Sequence, residues 1–475
     1  MDYLGIVQII GLILGSVLTI LTIHFIIFAI VGVLGYKKYP KTNNKLKYGL
    51  CIAARNEGKV IGNLIASIQN NKYPQDKLQV FVIAHNCTDN TAEIARNLGA
   101  TVYEYNNPNE CTKGYALKQL FDNIQQDWGI SNYDAFFIFD ADNILTDDYI
   151  DKMNDAFVAR EGKCIITSCR NSKNFGTNII STSYGVFFLQ GCLLEFRGRT
   201  LCNCSTRVSG TGYLVNSQHL KNGWPYVTLT EDWEFSADQI AEGHKIFYCE
   251  EAMFYDEQPT NFKVMWRQRT RWSKGHLLVF LQKSTKILKN LFAPKSKGEQ
   301  CKFSTYDIFI NTFPLVVTMF LVLIANIILS LIAPIFTPDW LAIWSFTLKS
   351  LGLQLGGYYL SMFAIAILVF IVYRKKINPN NLNFGKKLMT CLFYPIFNLM
   401  SVPMEITAMF KNIEWKVIPH TDTTTHEDLN KNQKLDKFTP MDAIEQTKKD
   451  NIIQMQPINT TEKLDEEKAK KEIKL

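Results

Sequence analysis

A run of apolar residues that ends in acid constrains the fold of this chain most. Residues 135–139 read Ala-Phe-Phe-Ile-Phe, and Asp140-Ala-Asp142-Asn follows directly. Such a run is typical of a strand buried on both faces of a parallel sheet that is covered by helices. In an open α/β sheet the ligand crevice lies beyond the carboxyl ends of the strands. The pattern therefore predicts that both carboxylates face a binding site.

Asp140 and Asp142 also have a spacing that suits a cation. Residues i and i+2 of an extended chain project to one side, and Mg²⁺ or Mn²⁺ commonly joins few protein carboxylates to substrate phosphates. The pair predicts a divalent metal and a nucleotide ligand. Taken alone, the same residues also fit a solvated turn that caps the next helix, because Asp and Asn favour such positions.

Composition limits the classes of partner. The chain has 475 residues, enough for one large domain with appendages, and carries 51 Lys+Arg against 44 Asp+Glu. This mild basicity, without a nucleic-acid-binding motif, gives no case for a nucleic-acid partner. The 11 cysteines lack metal-ligand spacing, which favours reduced thiols in a cytosolic domain.

The apolar residues are clustered, which indicates the lipid bilayer as a partner. Residues 4–35 are almost wholly apolar, longer than the roughly 20 residues a membrane span needs. Five lysines follow, so the positive-inside tendency predicts an N-terminal transmembrane anchor over residues 1–36 and a cytosolic domain after it. These five lysines are Lys37, Lys38, Lys41, Lys45 and Lys47.

The C-terminal part predicts further membrane segments within residues 305–411. Residues 308–336 and 351–373 are long and apolar, whereas residues 388–410 contain Pro395 and Pro403 and fit a re-entrant segment as well as a span. We therefore predict a multi-pass protein of the cell membrane. The composition of residues 412–475, strongly polar from His420 onward, predicts a disordered cytosolic tail.

Between these parts, residues 46–260 alternate short apolar runs with helical patterns, which predicts an α/β fold with a parallel sheet. The runs at 50–54, 78–84 and 101–105 read as strands, and 59–69, 91–98 and 115–124 as helices. Residues 261–304 mix basic and aromatic side chains, as expected of a segment lying on the membrane surface. An amphipathic helix packed on a soluble core is the alternative.

Further polar side chains lie at the same predicted edge of the sheet. Asp89 follows a strand and could accept a hydrogen bond from a uracil or ribose group, or cap the next helix. Ala53, Arg55 and Glu57 occupy the corresponding position after the first strand, and Lys113 precedes another helix. A lysine there supplies a positive charge for a diphosphate.

Two denser constellations follow along the chain. Thr230-Glu231-Asp232 offers a carboxylate that could take the proton of an acceptor hydroxyl, or simply forms the acidic first turn of a helix. In Gln268-Arg269-Thr270-Arg271-Trp272, guanidinium groups suit phosphate oxygens and an indole face suits a sugar ring. Snorkelling at the membrane surface is the alternative reading of these basic residues.

Four of these motifs resemble, in their order along the chain, those of processive family-2 glycosyltransferases, such as cellulose, chitin, hyaluronan and poly-N-acetylglucosamine synthases. They are Asp89, Asp140-Ala-Asp142, Thr230-Glu231-Asp232 and Gln268-Arg269-Thr270-Arg271-Trp272. The resemblance covers roughly residues 48–280. It implies a GT-A fold, in which a Rossmann-like and mostly parallel sheet binds a UDP-sugar and Mg²⁺ or Mn²⁺. Membrane segments on both sides agree with it in general layout.

The resemblance also implies roles for the matching residues. Asp142 would hold the metal, and Asp232, next to Glu231, would act as the base. The nucleotide side would comprise Ala53, Arg55, Glu57, Asp89, Lys113 and Asp140. The diphosphate and acceptor side would comprise Gln268, Arg269, Arg271 and Trp272, with the acceptor loop at Gly210 and Thr211.

The expected function is β-linked polymer synthesis, in which a sugar passes with inversion from a UDP-sugar to a growing glycan. One alternative is the addition of a single sugar to a lipid-linked or other glycan acceptor. Another is an inactive scaffold or export subunit. Export or accessory subunits are possible partners in each case.

Overall fold

The computed structural model describes residues 3–294, 302–377, 382–418 and 420–429. The alternation of strands and helices forms an eight-stranded sheet with the order β3-β2-β1-β4-β7-β6-β8-β5. Its strands are β1 Tyr48–Ala54, β2 Leu78–His85, β3 Thr101–Tyr105, β4 Ala135–Asp140, β5 Ile144–Leu145, β6 Ile165–Ser172, β7 Tyr213–Asn216 and β8 Ile246–Asp256.

The half of the sheet that holds β4 is parallel, as the sequence predicts. Strand β1 pairs in parallel with β2 and β4, and the register sets Ala53 beside Asp140. Strand β7 runs antiparallel to both β4 and β6, so the sheet as a whole is mixed. The α/β GT-A-like fold is confirmed, and the polar ends of β1 and β4 meet at one edge.

The helices of the described residues include those that cover both faces of the sheet. They are α1 Tyr3–Leu34, α2 Ile61–Gln69, α3 Thr91–Asn97, α4 Lys113–Asp127, α5 Tyr149–Val158, α6 Ile179–Gln190, α7 Arg197–Leu201, α8 Glu231–Ala241, α9 Phe262–Phe292, α10 Lys302–Thr312, α11 Leu315–Phe336, α12 Trp340–Val372, α13 Phe384–Leu399 and α14 Ser401–Phe410. Short 3₁₀ turns lie at Gln75–Lys77, Ile130–Asn132 and Ser217–Leu220.

Strand β4 is buried from both sides. Phe137 and Phe139 join a core cluster with residues of α2 and α5, whereas Phe136 and Ile138 join a second cluster with residues of α4, α8 and α9. The five residues 135–139 have no exposed surface. The two-sided burial predicted from the apolar run is therefore present.

Among the described residues, four helical stretches are long and apolar enough to cross a membrane: Gln8–Leu34, Ile179–Leu201, Trp340–Val372 and Phe384–Phe410. The first and third agree with the predicted segments 4–35 and 351–373. The fourth contains the segment 388–410, in which α13 and α14 meet at Met400.

The predicted apolar segment 308–336 is divided. Helix α10 ends at Thr312, and α11 begins at Leu315 after Pro314. Proline favours this start because it has no N–H to donate and disfavours the helical conformation of the residue before it. Within this segment, Leu321–Phe336 forms an apolar helical stretch that is shorter than the four stretches named above.

The basic and aromatic segment 261–304 is mostly the single long helix α9. It packs against α8, α10 and α14, and its Val279 and Ile287 are buried in the core of the domain. These contacts favour the alternative of an amphipathic helix packed on protein. Residues 295–301 of this segment lie outside the described residues.

The stretch Ile179–Leu201 was not predicted as a span, and it is mostly buried inside the protein. It consists of α6, a π-helical turn at Gly191–Phe196, and α7. Helix α1 crosses it closely, because a Cβ on Gly32 would lie 2.2 Å from the carbonyl oxygen of Leu193, and one on Gly198 would lie 2.0 Å from that of Phe28. Glycine at both positions therefore lets the N-terminal apolar helix dock on the domain.

A buried ionic cluster reinforces this docking. Asp307 of α10 receives two hydrogen bonds from the Arg199 guanidinium, at 2.7 and 3.0 Å. Its Oδ1 also lies 3.0 Å from Nε2 of His24 in α1. Because all three side chains are buried, the cluster joins α1, α7 and α10 through a charge that is costly to leave unpaired.

We expect Asp307→Asn to destabilise the protein by about 3–5 kcal/mol, because the change leaves a buried guanidinium without its counter-charge. Denaturant unfolding of the detergent-solubilised protein would measure this loss. The matched control is Glu104→Gln, which removes an exposed pair with Arg96 and should cost less than about 1 kcal/mol. Equal losses in the two variants would contradict the anchoring role.

Candidate active site

A cavity of about 410 Å³ opens at the carboxyl ends of β1 and β4 and extends along α8 and α9. It brings together residues that are far apart in the sequence, including Asp142 and Asp232. Most of the predicted site residues line it, namely Ala53, Arg55, Glu57, Lys113, Asp140, Asp142, Gly210, Glu231, Asp232, Gln268, Arg269, Arg271 and Trp272. Asp89 and Thr211 stand outside this lining.

Lys113 is the central cation of the cavity. Its Nζ donates to Oδ1 of Asp140 at 2.5 Å and to the carbonyl oxygen of Gly210 at 2.7 Å. Gly210 has φ of +79°, a conformation that side chains disfavour. Burial lowers the pKa of Lys113, but Asp140 and Glu231 more than offset this and raise it overall. The lysine therefore stays charged while it ties the end of β4 to the glycine loop.

Thr211 and Asp89 support the loops around the cavity. The Thr211 hydroxyl accepts from the backbone N–H of Asp140 at 2.8 Å and donates to Asn143. The Asp89 carboxylate accepts from the N–H groups of Gly58 and Thr91, each at 3.1 Å. These bonds match the capping role that the residues alone left open for Asp89. Hydrogen bonds from Thr91 and Gly58 outweigh its burial and lower its pKa.

Asp142 is buried, unlike Asp140, whose side chain is 36% exposed. Its Oδ2 accepts from the backbone N–H of Glu257 at 2.7 Å. Burial raises the pKa of Asp142, but the nearby charges of His420 and Lys173 and this hydrogen bond lower it overall. The carboxylate is thus held ionised in a buried position.

Asp256, the last residue of β8, is a second buried carboxylate in the cavity wall that sequence reasoning missed. Arg170 Nε donates to its Oδ2 at 2.8 Å, whereas its Oδ1 is buried and has no hydrogen-bond partner among the described residues. Burial and the charge of Asp142 raise its pKa to about 6, against the effect of Arg170. The apolar run at residues 252–255 ends in Asp256, as the run in β4 ends in Asp140, and this pattern could have predicted it.

Glu231 and Asp232 begin α8 and point into the cavity. Burial raises the pKa of both carboxyls, that of Glu231 to about 7, although Lys113 opposes the shift. A Cβ on Gly210 would lie 3.6 Å from Oδ2 of Asp232, so the glycine loop and the carboxylate face each other. A carboxyl with a raised pKa next to a cavity is suited to proton transfer.

All four predicted site residues of helix α9 line the cavity, and three of them share one environment. Arg271 Nη1 donates to the carbonyl oxygen of Leu229 at 2.7 Å, and Gln268 accepts from the Tyr184 hydroxyl at 2.8 Å. The Trp272 ring meets Tyr184 edge-on, with 6.0 Å between centroids. Their positions leave a guanidinium and an indole at the cavity wall.

Arg269 has a different environment. Its guanidinium donates to the carbonyl oxygen of Phe397 and to the Ser401 hydroxyl, both at 2.6 Å. These bonds join α9 to the junction of α13 and α14. The side chain is buried, and although it is part of the cavity lining, these two bonds give its guanidinium a structural role.

The strap, residues 412–418 and 420–426, lies across the cavity. Trp415 stacks on Arg55, with 4.7 Å between the ring centroid and Cζ. His420 Nδ1 lies 2.9 Å from the Glu57 carboxylate, and its Nε2 lies 4.0 Å from Oδ2 of Asp142. Burial lowers the pKa of His420, but Asp142 and Glu57 more than offset this and raise it to about 10.

The strap belongs to the region predicted as a disordered tail. Backbone N–H groups of Thr421 and Asp422 donate to the Glu257 carboxylate at 2.9–3.1 Å. Lys173 Nζ donates to the carbonyl oxygen of Asp422 at 2.9 Å. The polar composition of the strap therefore reflects contacts with a charged cavity. Residues 430–475 of the predicted tail lie outside the described residues.

The region that contains most of this site is similar to proteins of known class. Residues 46–275 match the sequence model of the family described as "Glycosyltransferase like family 2". This region, just under half of the chain, is similar to family-2 glycosyltransferase domains. The matched region includes β1 to β8 and the part of α9 that carries Gln268, Arg271 and Trp272.

Relatives of the family-2 domain include the probable glycosyltransferase YdaM of Bacillus subtilis, 25% identical over 303 residues, which are 59% of this chain and 65% of the relative. A beta-monoglucosyldiacylglycerol synthase of Nostoc is 25% identical over 54% of each chain. This chain thus spans between half and two thirds of the length of these relatives. Among solved structures, a mannosyltransferase of Pyrobaculum calidifontis in complex with GDP-Man and Mn²⁺ has a TM-score of 0.42 at 12% identity, over 83% of this chain and 99% of that one.

We expect Glu231→Gln to stabilise the protein above pH 7 and to have little effect near pH 4. The folded-state pKa of Glu231, about 7, lies above its ordinary value of 4.5. Ionisation of this buried carboxyl therefore opposes folding as the pH rises from 4.5 to about 7. The Gln side chain of the variant does not ionise and so removes that cost.

Thermal unfolding of both proteins between pH 4 and pH 8.5 would measure this difference. Glu251→Gln is the control, since Glu251 is a partly exposed carboxylate paired with Lys152. A stabilisation that does not change with pH would contradict the assignment.

Proposed function

We propose that this chain is a membrane-bound enzyme that transfers a sugar from a UDP-sugar to a hydroxyl group of a glycan acceptor, with inversion. The observation that carries the proposal is the convergence of Asp142, Asp232, Lys113 and Arg271 on one cavity. The family-2 domain supports hexosyl transfer as the reaction class. The apolar helices and the lysines after α1 support a multi-pass protein whose domain faces the cytosol.

The donor nucleotide would occupy the side of the cavity formed by Ala53, Arg55 and Glu57. The Arg55 guanidinium, stacked on Trp415, offers a planar cationic surface there. Since the strap crosses this side through Trp415 and His420, it would cover a bound nucleotide and exclude water. Asp140, paired with Lys113, would lie between the nucleotide and its diphosphate.

The carboxylates fit a divalent cation, Mg²⁺ or Mn²⁺. Asp142 is ionised and Asp256 Oδ1 is a buried oxygen without a partner among the described residues. No group of three or more His, Cys, Asp or Glu side chains in the described parts of the chain is arranged to hold a metal. The proposed ion would therefore need substrate phosphates as ligands in addition to carboxylates. When bound, such an ion neutralises charge on the leaving diphosphate. Asp142 would hold it, with His420 nearby.

The chain's own groups would perform a single displacement. Asp232 takes the proton of the attacking hydroxyl as its oxygen bonds to the anomeric carbon, and the bond from that carbon to the diphosphate breaks. Lys113 and Arg271 supply positive charge where the leaving group becomes more negative. Attack on the face opposite the leaving group converts an α-linked donor into a β-linked product.

Repeated transfer to a growing polysaccharide is our preferred form of this proposal. The cavity continues past Trp272 to Met404 of α14, which provides a wall along which a glycan could lie. Addition of a single sugar is the alternative, and relatives that are named beta-monoglucosyldiacylglycerol synthases favour it. The lengths of the products made by the purified protein separate the two: a ladder of long glycans supports extension, and one added sugar supports the alternative.

We expect Asp142→Asn to weaken Mn²⁺-dependent UDP binding at least tenfold, because the amide is a poorer ligand for a hard cation. Isothermal titration of the full-length protein with UDP, with Mn²⁺ or with EDTA, would measure the effect. EDTA should lower the affinity of the wild-type protein for UDP to that of the variant. Asp134→Asn, outside the cavity lining, is the control, and unchanged Mn²⁺-dependent affinity in Asp142→Asn would refute the metal assignment.

We expect Asp232→Asn to lower kcat for sugar transfer by about 10²–10⁴, the range typical of a lost general base, with UDP binding unchanged. Because the pKa of Asp232 is raised by burial and the ionised form is the base, wild-type activity should fall as the pH drops through this raised pKa. Rates of UDP release against pH would show this acid limb. Glu234→Gln is the control on the same helix, outside the cavity lining, and undiminished transfer by Asp232→Asn would revive the scaffold alternative.

A further inference from the structure

A charged pair in the cavity wall is left unused by the proposed mechanism. Arg207 Nη2 lies 3.3 Å from Oε2 of Glu195, and both side chains line the cavity. The Arg207 guanidinium lies 4.5 Å from the ring centroid of Trp233 and 5.2 Å from that of Phe196. Trp233 follows Asp232 directly, so the pair lies beside the proposed base.

An unusual backbone conformation holds Glu195 in this position. The π-helical turn Gly191–Phe196 interrupts an otherwise α-helical stretch, and such turns are rare and frequent at functional sites. Gly191, Cys192, Glu195 and Phe196 of this turn all line the cavity. From behind, α1 packs against the turn where Gly32 meets the carbonyl oxygen of Leu193. The turn therefore presents a carboxylate to the cavity from a firmly supported backbone.

The chemistry of the pair suits hydroxyl groups. The Glu195 side chain is 35% exposed, and a carboxylate can accept several hydrogen bonds. The ion pair with Glu195 involves Nη2 of Arg207. Because a guanidinium carries five N–H donors, Arg207 could also donate to a hydroxyl group. Rings of Phe196, Trp233 and Trp272 line the same wall, and aromatic rings pack well against the C–H face of a sugar.

The surrounding charges argue against an anionic group at this position. Glu195, Glu231 and Asp232 all face this part of the cavity, and Arg207 is already paired. A phosphate or carboxylate would lie close to these carboxylates and be repelled, whereas neutral hydroxyl groups would not. Diacylglycerol has a single hydroxyl group, which would react with the donor sugar. No second hydroxyl group would then be available to bind Glu195 and Arg207.

We propose that Glu195 and Arg207 form an acceptor subsite that binds neighbouring hydroxyl groups of a sugar ring and orients the attacking hydroxyl toward Asp232. The inference rests on the proposed sugar transfer and adds to it the residues that select a polyhydroxylated acceptor. A free glycan and the sugar head group of a glycolipid present the same chemistry. Both would be bound at this subsite, and diacylglycerol would not.

The test uses full-length protein in phosphatidylcholine nanodiscs, because common detergents carry sugar head groups. UDP release is measured with a donor UDP-sugar and either octyl β-glucoside or dioctanoylglycerol as acceptor. The glucoside should stimulate release by the wild-type protein more than dioctanoylglycerol does. Glu195→Gln and Arg207→Met should each raise the KM for the glucoside at least tenfold, with the KM for the donor changed less than twofold.

Glu104→Gln, which breaks an arginine–glutamate pair on the outer surface, should leave both KM values unchanged. Thermal unfolding of each variant separates a loss of fold from a loss of acceptor binding. An unchanged glucoside KM in both Glu195→Gln and Arg207→Met would overturn the subsite. So would a wild-type protein that the glucoside does not stimulate.

Failure of the subsite and failure of sugar transfer give different results. If the subsite alone is wrong, UDP release still depends on Asp232, and the two variants behave like the wild-type protein. If sugar transfer is wrong, no UDP-sugar supports release that Asp232→Asn abolishes, and the subsite falls with it.

Discussion

The cavity depends on the charge of Lys113. Four groups from three parts of the chain lie around this ammonium: the carboxylate of Asp140 at the end of β4, those of Glu231 and Asp232 in α8, and the carbonyl oxygen of Gly210. Several buried carboxylates would repel each other strongly in a medium of low dielectric constant. The Lys113 ammonium contacts Asp140 and lies near Glu231 and Asp232, so its charge reduces the repulsion among the three carboxylates. The pKa values of Glu231 and Asp232 nevertheless remain raised. The same charge that permits the cluster would also serve a diphosphate.

The apolar N-terminal helix α1 is joined to the domain by contacts that reach the cavity wall. Helix α1 is fixed by the close approach at Gly32 and Gly198 and by the buried cluster around Asp307. Between these contacts lies the π-helical turn whose other side lines the cavity. An acceptor held by this turn is therefore positioned relative to the apolar helices. In the proposed function, this arrangement would hold the acceptor at a fixed position relative to α1.

Much of the fold could be predicted because its signals are local. The apolar run before Asp140 indicates a buried strand, and the polar residues after β1 and β4 meet because parallel strands place their carboxyl ends together. Arg269 and Arg271 show the limit of such reasoning. They are two residues apart and chemically identical, and both line the cavity. Yet the Arg269 guanidinium bonds to the α13–α14 junction, and the Arg271 guanidinium bonds to the carbonyl oxygen of Leu229. Spacing alone cannot tell which turn of α9 meets which partner.

The strap and Glu195 were missed for a common physical reason. Polar composition predicts disorder because a segment with few apolar residues cannot offset the entropy of ordering by burying them. The strap is ordered by another source, hydrogen bonds and ion pairs to Glu57 and Glu257, which only the assembled cavity provides. Glu195 follows an uncharged run that begins at Ile179, where hydropathy favours an interior or membrane helix. A single carboxylate at the end of such a run is costly to bury without a partner. In the structure Arg207 is that partner, and both side chains line the cavity. The sequence does not show this pairing, so it does not show that the helix borders a polar cavity.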